Sequence, residues 1–313
     1  MKTQKVKGLE LDVGKGNAFA YETDPMLPKL HQNCIFIAKR GGGKTVSCIN
    51  LMDWFKFDRI FCVSPSVKSN KEMMDRLNIQ PEDIYEDPDD ISCLNKIIKA
   101  IEQERDDLVE ALAKLEKWKV LQSKMDRKIP LRTEDDHILL DLYNMTTNTF
   151  EKPTHKWDFR RPRCAILFDD CIGSGIYTKG IRKLNNLVTL HRHVAQFEEG
   201  GAIGVSLFFL VQTYKCSTGG LSKCIRNNVT SLCLFKTKSE RELQEIAEEV
   251  SGEIDTKTFY KLYNYATKEP HSFLFVDLHY KKDIHPSGFR KGFGEFLIPS
   301  EIDSKKNNDL IKE

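Results

Sequence analysis

The sequence predicts an α/β fold, a mainly parallel sheet flanked by helices. Three observations carry this. Apolar runs of strand length recur at residues 34–38, 59–63, 164–168, 205–211 and 231–235. The first leads through a glycine-rich turn into a helical pattern, and that pattern into the second run. The runs are nearly continuous in apolar character, which suits strands covered on both faces.

Taken in order, residues 1–30 are mixed in character and read as an N-terminal extension, with Pro25 and Pro28 breaking any long element. Cys34-Ile35-Phe36-Ile37-Ala38 reads as the first strand. From Lys44 to about Lys56 a helix is expected, because Val46, Ile49, Leu51 and Phe55 recur at helical spacing. Arg59–Val63 reads as a strand that stops at Ser64-Pro65-Ser66, since proline cannot continue a central ladder. At about 90–150 the pattern changes. Leu94, Ile98, Ile101, Leu108, Leu112 and Leu115 step by threes and fours, and Ile138, Leu139 and Leu142 form a second stripe. This predicts a helical hairpin inserted into the sheet domain, without a cluster of chemically useful residues. After the basic segment Arg160–Arg163 come a strand at 164–168, a helix from Ile181 to His193 and a strand at 205–211. A strand at 231–235, a helix over 240–250 and a late strand at 272–276 complete the domain, which spans 31–300. The charged tail, 301–313, is expected to be flexible.

Composition narrows the function. With 40% hydrophobic residues in 313, the chain can bury a core and is not a disordered polymer. A net charge of +2 gives no polybasic coat, so any nucleic-acid contact must come from a local basic surface. No apolar run approaches the ~20 residues of a membrane span, and Met1–Lys7 lacks the apolar stretch of a secretory signal. The nine cysteines include no Cys-x-x-Cys pair and sit among apolar neighbours (Cys34, Cys62, Cys164, Cys233), as buried thiols of a reducing compartment do. The expectation is a soluble, cytosolic chain.

The chemistry begins at Ala38-Lys39-Arg40-Gly41-Gly42-Gly43-Lys44-Thr45. Its spacing is that of a phosphate-binding loop, G-x4-G-K-[ST], with alanine in the first position. Small residues let successive N–H groups turn toward an anion, and the following helix points its N-terminus at the same place. Lys39 to Val46 are therefore the candidate nucleotide-binding residues. Lys44 is placed to reach the β- and γ-phosphates, and the Thr45 hydroxyl to ligate Mg²⁺. If the position of Ala38 needs a positive φ, alanine costs about 1 kcal/mol there. Asp169-Asp170 ends an apolar strand, where ligands bind in open α/β sheets. Asp169 is assigned to the metal and Asp170 to the attacking water, and the acid-bearing strand is expected next to the strand of the loop. Gln212, which ends the strand at 205–211, is a candidate for sensing the γ-phosphate or positioning the water, or is simply a polar terminus. Arg192 and Arg226 are candidates for the guanidinium that neutralises developing charge, often supplied by a neighbouring subunit. His191 and His193 lack the acid or cysteine that would complete a metal set and read as structural. Lys179, Arg182 and Lys183 form either a solvated helix face or a nucleic-acid path.

With these blocks in order, the chain resembles the genome-packaging ATPases of large nucleocytoplasmic DNA viruses (the vaccinia-type packaging ATPases), in the FtsK/HerA group of P-loop DNA translocases. The resemblance covers most of the chain outside the helical insert. It rests on Ile35-Phe36-Ile37 with Gly42-Gly43-Lys44-Thr45, on Ile60–Ser66, and on Ile166-Leu167-Phe168-Asp169-Asp170. It continues through Arg192-His193, Gln212, Ile225-Arg226-Asn227-Asn228 and Phe289–Phe293. It implies a RecA-like (ASCE) P-loop NTPase sheet, ATP·Mg²⁺ hydrolysis at subunit interfaces, and a ring of five or six identical subunits around double-stranded DNA. It further implies that the DNA is driven into a preformed capsid, with a capsid or portal protein as partner, in the virion and the cytoplasmic viral factory. By the same resemblance Lys44 and Thr45 match the Walker A pair, Asp169 and Asp170 the Walker B pair, and Gln212 the polar sensor. Arg226 and Arg192 match the arginine finger. A P-loop kinase and a nucleotide-gated scaffold are the alternatives; the kinase would need an arginine-rich lid, and no compact arginine cluster follows the strand at 205–211.

Overall fold

The computed structural model describes residues 23–67, 75–128, 134, 152–216, 219–250 and 254–299. Its centre is β1 (Asn33–Ile37), with all five positions buried. It pairs in parallel with β5 (Val205–Val211) on one side and β6 (Ser231–Phe235) on the other. Beyond β5 lie β4 (Cys164–Asp169), β2 (Arg59–Val63) and the two-residue β3 (Ile84–Tyr85), all parallel. Beyond β6 the sheet turns antiparallel through β7 (Phe273–Asp277), β8 (Phe289–Lys291) and β9 (Glu295–Leu297). The order is β3-β2-β4-β5-β1-β6-β7-β8-β9. The mainly parallel α/β sheet is thus as expected.

One expectation is overturned. The acid-bearing β4 is not the neighbour of β1, because β5 lies between them. At a strand spacing of about 4.8 Å, the two strands stand roughly 10 Å apart. Both β5 and β4 are buried along their whole length, so the apolar pattern alone does not say which of them lies beside β1.

Alternate strand residues feed two cores, as a pleated strand requires. Ile35, Ile37, Ile166, Phe168, Leu207 and Phe209 face one side; Phe36, Ala165, Leu167, Phe208 and Leu210 face the other. The second side is covered by α1 (Lys44–Phe55) through Cys48, Leu51, Met52 and Phe55. Covering the first are α2 (Cys93–Asp126), α3 (Ile181–Leu190), α4 (Lys223–Asn227), α5 (Glu240–Val250) and α6 (Thr256–Ala266). Val46 leaves the expected apolar stripe of α1: it is 61% exposed in the open first turn, whereas Ile49, Leu51 and Phe55 are buried.

At 34 residues, α2 is about 50 Å long. Its first turns belong to the sheet's cover, with Cys93, Leu94, Ile97 and Ile101 buried. The second helical arm expected over 132–144 lies outside the described residues, apart from position 134. Glu104 of α2 is 2% exposed and anchors a charged cluster absent from the sequence reading. It accepts from Arg59 Nη1 at 2.8 Å, Lys156 Nζ at 2.9 Å and Trp157 Nε1 at 2.7 Å. Arg59 also holds Asp83 through two 2.8 Å hydrogen bonds. One buried carboxylate thereby ties α2 to the start of β2 and to the segment that enters β4. Among the described residues no helix is long and apolar enough to cross a membrane. All nine cysteines are free thiols, most of them buried.

Candidate nucleotide site

The glycine loop leaves the carboxyl end of β1 and enters α1 directly. Ala38 continues the strand by donating its N–H to Val211 O at 3.1 Å, and it is absent from the residues with positive φ. The anticipated cost of alanine therefore does not arise. The backbone burden falls on the glycines instead. A Cβ on Gly42 would stand 2.8 Å from Ala38 Cβ and 3.0 Å from Lys39 O, closer than side chains approach. Gly43, the residue before α1, has φ 99°, and no side chain caps the helix behind it. The amides of its first turn are left to face an anion. Lys44 is 8% exposed at the mouth of the sheet, Thr45 is half-buried, and Lys39, Arg40 and Gly41 are exposed around them.

Two strands away, Asp169 is 2% exposed at the last position of β4. Burial first, and then the charge of Asp170, raise its pKa to about 6, while Lys44 pulls in the opposite direction. Cys171 supports this end of the strand, its Sγ within 3.2 Å of both Asp169 O and Val63 O. Asp170 is exposed, with φ 52°, a left-handed conformation that aspartate tolerates better than most residues. Gln212, one residue past β5, donates from Nε2 to Asp170 Oδ1 over a long 3.4 Å. Lys44, Gln212 and the two aspartates thus meet at the carboxyl ends of β1, β5 and β4. That is where an open parallel sheet binds ligands.

No family model matches the chain, and no curated protein matches it. Among solved structures it is similar to the genome packaging NTPase B204 of Sulfolobus turreted icosahedral virus 2. The complex with ATP-gammaS is 13% identical with a TM-score of 0.38, and the complex with AMP is 11% identical with a TM-score of 0.41. Each comparison covers 82% of this chain and 94% of that one. The pCW3 conjugation coupling protein TcpA with ATPgS is 13% identical with a TM-score of 0.39, over 82% of this chain and 63% of that one. These are weak likenesses of the whole chain.

The two candidate arginines are placed differently. Arg226 of α4 has a side chain only 12% exposed, with Nε 3.2 Å from Glu249 Oε2 and the guanidinium carbon 5.4 Å from the centre of the Tyr214 ring. Tyr214 donates its hydroxyl to the same Glu249 oxygen at 2.6 Å, and Lys215 Nζ lies 3.1 Å from the other. Arg226 is thus ion-paired within its own chain. Arg192 is exposed in a short 3-10 turn after α3, at the amino ends of the strands. Its neighbour His191 is buried there, with ring nitrogens 2.7 Å from Val188 O and 3.0 Å from His31 O, in keeping with a structural role. Within one chain Arg192 lies at the end of the sheet opposite the glycine loop. Lys179, Arg182 and Lys183 are exposed at the start of α3, while Leu184, Leu187 and Val188 face the core.

The buried acid carries a stability prediction. The pKa of Asp169 near 6 lies above the carboxylate's ordinary value near 4, so between these values the folded state holds more protons than the unfolded one. The ligand-free protein gains stability as pH falls from about 6 toward 4. Asp169→Asn raises stability at pH 7 by about 2–3 kcal/mol and removes Asp169's share of this pH dependence. Denaturant unfolding at pH 5 and 7.5, with and without the substitution, checks both statements.

Proposed function

We propose that this chain is an ATPase that moves double-stranded DNA and packages a viral genome into a preformed capsid, acting as a ring of five or six identical subunits. The observation that carries the nucleotide reading is the convergence of the glycine loop, buried Lys44, buried Asp169, Asp170 and Gln212 at one end of the sheet. The DNA reading is supported by the order of motifs shared with the packaging ATPases and by exposed Lys179, Arg182 and Lys183.

In this reading the loop amides of residues 39–46 and the Lys44 ammonium bind the triphosphate. The Thr45 hydroxyl and the Asp169 carboxylate would hold Mg²⁺, a hard cation that such oxygen donors suit. Magnesium supplies charge neutralisation at the phosphates. Asp170 accepts a proton from the water that attacks the γ-phosphorus, and the bridging oxygen leaves with ADP. Gln212 orients that water, and Arg226 or Arg192 of a neighbouring subunit neutralises the charge on the transferred phosphoryl group. A capsid or portal protein is the expected partner, in the virion and the cytoplasmic viral factory.

Double-stranded DNA is expected to stimulate ATP turnover by the purified chain, with the stimulation falling as salt is raised because phosphate contacts release counterions. Turnover that responds to a small-molecule acceptor instead would favour a kinase. Nucleotide binding without turnover would favour a scaffold.

A further inference from the structure

The glycine loop has two flanks, and the residues assigned so far occupy one of them. On the β5–β4 side stand Gln212, Asp170 and Asp169; on the other side lie β6 and β7. The turn between α6 and β7 brings His271 against the loop on that second side. A Cβ built on Gly43 would stand 3.5 Å from His271 Nδ1, 3.5 Å from His271 Cβ and 3.5 Å from Phe235 Cε1. His271 is exposed to solvent and adopts φ 61°, a left-handed conformation in a residue other than glycine. Its turn is held in shape. Ser272 donates its N–H and its hydroxyl to Glu269 O, at 3.2 and 2.6 Å, and Glu269 is paired with Lys291 Nζ of β8 at 2.9 Å. Strained backbone persists where the surroundings over-determine it, and such positions cluster at ligand clamps.

We propose that His271 contacts the nucleoside part of the bound nucleotide. The proposal rests on the nucleotide reading of the glycine loop. The end of the triphosphate that reacts must face Asp170 and Gln212, so the opposite end of the nucleotide is directed away from β4 and β5. That places it on the flank of β6 and β7, where the imidazole beside Gly43 offers a flat face for a base and a ring nitrogen for a ribose hydroxyl. His271 is thus a binding residue that distinguishes a nucleotide from its bare phosphate chain.

The test is equilibrium binding of ATP, ADP and inorganic tripolyphosphate, each with Mg²⁺, to the full chain and to His271→Ala and His271→Asn. Asparagine removes the ring while tolerating the left-handed backbone, so it separates loss of contact from loss of the turn. Both variants are expected to bind ATP and ADP about tenfold more weakly, the scale of one base-stacking contact, and tripolyphosphate as the parent chain does. Unchanged ATP affinity in His271→Asn overturns the proposal. An equal loss for tripolyphosphate also overturns it, by showing that His271 acts on the loop and not on the nucleoside. A parent chain that binds neither ATP nor tripolyphosphate removes the nucleotide reading itself, an outcome distinct from the other two.

Discussion

If the proposed ATPase reading holds, replacing Lys44 with alanine is expected to abolish ATP turnover and to weaken ATP binding about a hundredfold. Lys44 is buried at the first position of α1, and its charge acts on the Asp169 carboxyl of β4. Charge-assisted hydrogen bonds to phosphate are about twice as strong as neutral ones, and losing one preorganised donor of this kind costs about 10²–10³ in rate. The substitution also removes the charge that opposes the upward shift of the Asp169 pKa. Asp169, the acid proposed to hold the metal, then becomes harder to ionise, and the two losses compound. Phosphate release and ATP binding, measured on a variant whose melting curve matches the parent, check this. Near-normal hydrolysis would refute the site.

Asp170→Asn separates binding from chemistry. The residue sits at φ 52°, which asparagine also accepts, so the turn off β4 should survive. The amide oxygen can still accept from Gln212 Nε2, replacing a 3.4 Å contact with a similar one. What is lost is the negative charge proposed to take the water's proton, worth about 10²–10⁴ in rate for general-base catalysis. ATP affinity is expected to stay within about twofold, because Lys44, Thr45 and Asp169 are untouched. Single-turnover hydrolysis alongside ATP binding reads both quantities. If affinity collapses as well, the division of labour between Asp169 and Asp170 is wrong.

Much of the fold was legible because its strands are short, apolar and bounded by breakers. Arg59–Val63, Val205–Val211 and Ser231–Phe235 have the boundaries read from the sequence, and the helix Glu240–Val250 does too. Elements whose pattern is weak escaped. α6, Thr-Lys-Thr-Phe-Tyr-Lys-Leu-Tyr-Asn-Tyr-Ala, is made largely of middling helix formers. It is secured by Asp255, whose side chain accepts from Thr258 N, and by Phe259 and Tyr263 in the core. Two- and three-residue strands such as β3, β8 and β9 leave no period to count. In β8, Arg290 is 3% exposed, with Nη1 donating to Met26 O at 2.8 Å and the guanidinium 4.2 Å from the Phe296 ring centre, partners far away in sequence or in another strand.

The sequence by itself determined the chemistry on offer: a glycine loop with lysine and threonine, paired acids at a strand end, and a glutamine at another. These are local matters, since backbone freedom, strand length and residue type act over a few neighbours. Tertiary structure alone decided that β5 separates the loop from the acids, that Arg226 is tied to Glu249 while Arg192 lies at the far end of the sheet, and that His271 rests against Gly43. Several continuously apolar strands present the same pattern to any neighbour. Which ones pair is settled only when the whole sheet and its helices compete to exclude water.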